Sequence, residues 1–359
     1  MRELLVGIEG RIVNHIPDLL PCDPWLSSSV MQKAIRRGDK KTALRAAVTL
    51  WQQDKVRFWR RLHITAIEDV GPAEPNAVAD TLVATAQGRW RNRVGDLQVG
   101  LALVRSLCAA PKCRMADHVY IAAERGAGYE RLRVQLASKS ASALTDIALG
   151  RDAHLIERLL ALWLLAGTKR YPSDYMLRRD GSLGDAIGIV RSLGVPADLL
   201  TSCEGVMMKT SWPLALFMPL LWAEVQKHPV SVKINSLLPV PDVKGVPICS
   251  VDWFTRTGRT SISQLQKAVP AIKCFSSQQV GLAAFYLEGG KVDRELTSPA
   301  LDGFKQEGEL ADIESTGLDA PQYLGLLELM ERHWPQFEEI RIKQLQRYQD
   351  DIAAGWSPA

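Results

Sequence analysis

Four short stretches hold side chain types that do chemistry in other proteins. In ITAIEDVG, Glu68 and Asp69 would serve as an acid–base pair or as two metal ligands if both carboxylates turned to one point. Successive helical residues face different sides, so the pair does not converge on one ion and reads instead as a structural turn. Cys108, Cys113 and His118 offer sulfur and imidazole. Structural zinc takes four ligands, commonly with cysteines two to four residues apart. Only the cysteine pair approaches that spacing and no fourth ligand follows, so buried free thiols are the simpler reading. Glu288-Gly289-Gly290-Lys291-Val292 has the Gly-Lys pair of a phosphate loop. It lacks the upstream glycine and the Ser/Thr that would hold magnesium, and it follows a predicted helix rather than a strand. Pro241-Asp242-Val243-Lys244 opens like a restriction-type nuclease motif, without the later acid-x-Lys pair. No G-x-S-x-G elbow or Cys/His nucleophile pair is visible. The expectation is a non-enzymatic protein with no metal and no cofactor.

Clustered positive charge is the stronger signal. Lys33, Arg36 and Arg37 share one predicted helix face, and Arg57, Arg60 and Arg61 share another. Clustered cations of this kind contact phosphate backbones, while the alternative is a solvated helix face. Lys112 and Arg114, in an Ala-Pro-Lys turn, are candidates for the same role. Arg89, Arg91 and Arg93 surround Trp90 in RWRNR, and this ring would either stack on a base or anchor a loop. In SVDWFTRTGR, the residues Asp252, Thr255, Arg256 and Arg259 would bind an anion or an acidic partner. A buried Asp–Arg tie between two helices accounts for them equally well.

The elements that must position these groups are helical. With Ser27, Ser28 or Ser29 as N-cap, Val30, Met31, Ala34 and Ile35 form an apolar stripe that ends at Gly38-Asp39. Helices are predicted over about 40–52 and 56–67, with a turn at 68–72 and Pro75 opening the next helix. Further helices are expected over 96–107, near 115–124, and over 154–166, the last apolar almost all round and so buried. Residues 229–252, rich in valine and proline, predict an extended excursion or small hairpin. Helical pattern returns over 278–287, then over 321–334 and 337–354 around Pro335.

A chain of 359 residues, 47% apolar and 23% charged, is long enough for two domains. The composition shift at LASKSAS suggests an arm over 1–26, a helical domain over 27–138 and a second helical domain over 139–359. The net charge of +4 permits a nucleic-acid partner without implying one. Six scattered cysteines, no leader pattern and no spanning segment point to a cytoplasmic protein with reduced thiols and no membrane partner.

Three segments in order, SVMQKAIRRGDKKTALRAAVTL, RRLHITAIEDVGPAEPNAV and LCAAPKCRMADHVYIAAE, carry a family resemblance. Residues 27–124 resemble the C-terminal helical domain of the MgsA/RarA family, clamp-loader-like AAA+ ATPases related to the Werner-helicase-interacting protein. The shared pattern is S-x-x-x-K-x-x-R-x-x-D, then R-R-L … A-x-E-D-x-G-x-A-x-P, then A-P-K. The family's ATPase module is missing. The resemblance implies a mainly α, clamp-loader-collar-like domain that self-associates as a dimer or tetramer, with Glu68 and Asp69 in its turn as a cap or a bridge to Arg60 or Arg61. It implies a role in DNA replication or repair, as adaptor or competitor of such an ATPase, in the setting of a mobile element or phage. Two other readings stand beside it: a nucleic-acid enzyme with its site in 150–359, and a protein-interaction module without DNA contact.

Overall fold

In the computed structural model, which describes residues 2–12 and 15–354, the chain is a mainly α assembly of nineteen helices and two small two-stranded sheets. Local chemistry sets many of the helix ends. The first basic helix spans Pro24–Arg36, and its N-cap is Asp23, not one of the serines: Asp23 accepts from the Leu26 amide, with Pro24 in the first turn. Ser27 and Ser28 lie inside the helix and are buried. Gly38 at φ +67° ends the segment, and Asp39 caps the helix Lys40–Gln53. Asp54 then caps Lys55–Thr65, and Pro75 opens Pro75–Ala86. Arg2–Glu9 is helical too, with Ile8 fully buried, so the described part of the expected arm is packed against the body.

Between Lys55–Thr65 and Pro75–Ala86 the chain makes a π-turn over Ala66–Val70, closed by a bond from the Gly71 amide to the Ala66 carbonyl. Gly71 has φ +49°, and a Cβ there would lie 2.8 Å from the Cys113 carbonyl oxygen. The Cys113 amide in turn donates to the Asp69 carbonyl at 2.9 Å. This close approach puts the E-D-x-G and A-P-K segments side by side. A second π-turn, Phe285–Gly289, follows the helix Ser277–Ala284 and closes from the Gly290 amide to Phe285 at 2.7 Å.

One hydrophobic core runs from Ile8 to Tyr348 and includes Leu136, Leu144 and Leu155, so packing is continuous across the expected boundary at 138–139. A smaller cluster between Ile262 and Phe337 joins the helices Arg256–Ala268, Ser277–Ala284 and Ala320–Arg332. Leu155–Ala166 is the buried central helix that its composition predicts. The extended excursion forms strand Ser231–Ile234, antiparallel to Arg294–Thr297, and a hairpin of Asp242–Val243 with Val246–Pro247. On its other side, Arg294–Thr297 meets Lys112 in a single parallel bridge between Lys112 and Glu295. Late chain thus covers the early helices. No described helix is long and apolar enough to cross a membrane.

Candidate functional site

Three helices present stripes of 3.6-residue period to a common cavity of about 460 Å³. Pro24–Arg36 contributes Trp25, Ser28, Ser29, Gln32, Lys33 and Arg36. From Met115–Arg125 come Asp117, Tyr120, Ile121 and Arg125, and from Ser277–Ala284 come Gln278, Gly281 and Leu282. Both π-turns reach the same space, through Glu68 and Phe285. Turns of this kind insert one extra residue and redirect side chains that a regular helix would aim elsewhere. Here the redirection lets two adjacent acids share one neighbour. The Gln32 amide nitrogen donates to Glu68 at 3.2 Å and to Asp69 at 2.9 Å.

The floor is an ion-pair network. Asp69, fully buried, takes the Arg36 Nε at 2.6 Å and lies 3.6 Å from Arg114 Nε. Arg36 also donates to the Gly289 carbonyl at 2.9 Å, and both guanidiniums lie over the Phe285 ring, 5.4 and 5.1 Å from its centroid. Arg114 pairs with Asp117, and Arg125 with Asp312 at 3.0 Å. Lys33 pairs with Asp252 at 2.5 Å, both almost fully buried. Arg61 differs from these cations. It donates to Ser28 Oγ at 3.0 Å and Gln32 Oε1 at 3.2 Å, and among the described residues no carboxylate comes within 4.0 Å of it.

Burial, reinforced by the neighbouring carboxylates of Asp117 and Asp69, pushes the Glu68 carboxyl up to about 8, against the pull of Arg61 and Arg36. The folded protein therefore holds this proton where an unfolded glutamate, near 4.5, has released it. For an acid raised in this way, the contribution to stability falls as pH rises from about 4.5 to about 8. Glu68→Gln, which mimics the protonated form, is expected to flatten that slope. Urea unfolding midpoints measured across this pH range for both proteins check it, and an unchanged slope would count against a neutral Glu68.

Several cations that the sequence offers to phosphates are committed elsewhere. Lys33 and Arg36 are buried, contrary to a solvated basic face. Lys112 is fully buried, donating to the Cys108 and Ala110 carbonyls with Asp293 at 3.4 Å. Arg91 pairs with Asp96 at 2.8 Å and lies over Trp59, while Arg57 pairs with Asp54 and lies over Trp25. Arg37 donates to the Leu238 carbonyl. Arg60, Arg89 and Arg93 are exposed. Trp90 anchors a helix rather than a loop, donating to Glu9 at 2.7 Å. Asp69 bridges Arg36 and Arg114, not Arg60 or Arg61.

In the second half, Asp252 joins the network, and its tie is to a lysine. Thr255 caps Arg256–Ala268, and Arg256 and Arg259 are exposed, Arg259 donating to the Trp253 carbonyl at 3.5 Å. No described group of three His, Cys, Asp or Glu side chains is placed to hold a metal ion. Cys108 and Cys113 are buried thiols pushed up to about 12 by desolvation. The cavity's aromatics, Trp25, Tyr120, Trp212, Trp253, Phe254 and Phe285, have no local signal in the sequence. They come from five separate segments, and only a record of which residues vary together would pair them. Comparison of the chain with protein-family models, curated proteins and solved structures finds no match.

Proposed function

We propose that this chain is a binding protein whose working site is the interior cavity and whose ligand is a small organic anion. The observation that carries this reading is Arg61. It sits on the cavity wall with no carboxylate partner among the described residues, beside an acid that burial keeps protonated. A guanidinium fork held by two side-chain acceptors is preorganised for a carboxylate or phosphate. The volume suits a small molecule, since such sites run from roughly 300 to 1,000 Å³. The test is thermal unfolding with a panel of nucleotides, aromatic carboxylates and sugar phosphates. At about 100 times its Kd a ligand stabilises by about 2.7 kcal/mol, so a true ligand shifts the transition clearly. Arg61→Gln should abolish that shift. A panel with no stabilising anion, or a shift that survives in Arg61→Gln, would overturn the reading.

A second reading keeps the resemblance in play. Self-association as a dimer or tetramer, with DNA contact in replication or repair, would use the exposed Arg60, Arg89 and Arg93. Among the described residues none of these three has a carboxylate within 4.0 Å. Their reversal to glutamate should weaken DNA binding on every sequence and reduce the salt slope by about one unit per lost phosphate contact. Sedimentation of the same variant with and without DNA measures both claims. A monomer that ignores DNA at low salt would leave only the cavity.

A further inference from the structure

Character changes with depth along the cavity wall formed by Pro24–Arg36. Trp25 at the rim is 58% exposed, whereas Ser28, Gln32, Lys33 and Arg36 beyond it are 4%, 8%, 5% and 4% exposed. Across the cavity the chain places Phe254 at the surface, 62% exposed, beside Trp253. Trp253 rests directly on helix backbone, because a Cβ at Gly281 would lie 2.7 Å from its own Cβ. Arg57 covers one face of Trp25, 3.7 Å from its centroid, and Phe254 meets Phe285 edge-on at 6.0 Å, which leaves the other face of Trp25 and the remaining surface of Phe254 at the entrance to a polar interior.

We propose that the cavity takes a nucleoside monophosphate, with its base stacked on the rim aromatics and its phosphate on Arg61. This rests on the reading of the cavity as an anion site. Ser28 and Gln32, which hold Arg61, lie about one and two helical turns below Trp25, so about 5–10 Å separates ring and anion. A pentose bridges that distance between a base and its phosphate. Aromatic platforms accept any base, because every base has a π-face. Two buried donors on the same walls, Trp212 Nε1 and Arg125 Nε, have no hydrogen-bond partner among the described residues and can serve the sugar or the base edge. Arg114 Nε, on a side chain only 9% exposed, likewise has no hydrogen bond among the described residues, its distance to Asp69 being 3.6 Å. A single phosphate is favoured over a chain of them. Asp69, Asp117 and Asp312 already neutralise the other guanidiniums and would repel further negative charge.

The same chemistry reaches the site free in solution or at the phosphorylated end of a single strand. Titration of the full chain, followed by tryptophan fluorescence and calorimetry, compares five probes: nucleoside monophosphates, the matching nucleosides, inorganic phosphate, aromatic carboxylates, and short single strands with and without a 5′ phosphate. Monophosphates should bind at least tenfold tighter than nucleosides or inorganic phosphate. Trp25→Ala, at an exposed position, and Arg61→Lys, which keeps the charge but not the fork, should each weaken binding about tenfold. Phosphorylated strands that bind tighter than mononucleotides identify the strand end as the source, and weaker ones the free nucleotide. Inorganic phosphate binding as tightly as the nucleotide, or no loss in Trp25→Ala, overturns the proposal. So do aromatic carboxylates that bind where nucleotides fail, although that result leaves the anion site standing. If no anion binds, both readings fall.

Discussion

Asp69→Ala is expected to cost about 3–5 kcal/mol of stability, the range for removing one partner of a buried ion pair. Asp69 is fully buried and answers Arg36, Arg114 and the Gln32 amide at once. Its removal leaves two neighbouring guanidiniums beside Phe285, with Asp117 paired to Arg114 alone. A loss of that size is a large part of the roughly 5–15 kcal/mol that holds an ordinary domain folded. Asp69→Asn keeps the shape and one acceptor, so it should lose less. Denaturant midpoints for the two variants give the comparison. A change below about 1 kcal/mol in Asp69→Ala would show that water reaches the network and that the pair is a surface-like one. The same network bears on experiments with charge reversal. Changing Arg36, Arg37, Arg60 and Arg61 together to glutamate would set a new acid against buried Asp69, and lost DNA binding in that variant would report unfolding. Arg60, Arg89 and Arg93 avoid the difficulty because they are exposed.

Much of the helical frame is legible in the sequence because its signals are local. Asp39 and Asp54 stand one residue before their helices, Pro75 occupies a first turn, and the apolar run of Leu155–Ala166 has no polar face to expose. Burial of the polar faces is not legible, because the covering chain lies more than two hundred residues away. Lys33 and Arg36 occupy the hydrophilic side of their helix, as a wheel shows. Nothing nearby announces that Ser250, Asp252 and Gly289 will close over that side, through Ser29 at 2.9 Å, Lys33 at 2.5 Å and Arg36 at 2.9 Å. The π-turn at Ala66–Val70 is hidden for a related reason. Its extra residue brings Glu68 and Asp69 onto one glutamine, where regular geometry would part them. Residue type and spacing thus mark Lys33, Arg36, Arg61, Glu68 and Asp69 as chemically able, and the fold does gather them. Their meeting place is an interior and not a surface, which only the distant covering segments decide.

Gly258→Ala is expected to destabilise the protein by about 3 kcal/mol or more, at or above the upper end for overpacking a tight interior. The sign is the informative part. In an exposed helix interior the same exchange stabilises by up to about 1 kcal/mol, since glycine is the poorer helix former. Gly258 stands in the first turn of Arg256–Ala268, where its amide donates to the capping Thr255 Oγ1 at 3.0 Å. That hydroxyl and the Thr255 amide both donate to the Asp252 carbonyl at 2.9 Å. A Cβ at Gly258 would lie 1.7 Å from this same oxygen and 2.3 Å from its carbon, both backbone atoms with no rotamer to escape into. The helix start or Asp252 must move. Moving Asp252 uncovers Lys33, whose only close carboxylate among the described residues it is, and loosens the floor of the cavity. Gly303, inside the helix Pro299–Glu314, supplies the control, because a Cβ there would meet nothing within 4 Å. Gly303→Ala should leave stability unchanged or raise it slightly. Thermal unfolding of both variants, with ligand binding by the survivors, decides the matter. If Gly258→Ala is as stable as Gly303→Ala, Asp252 is not held against that helix start, and its tie to Lys33 cannot form the cavity floor.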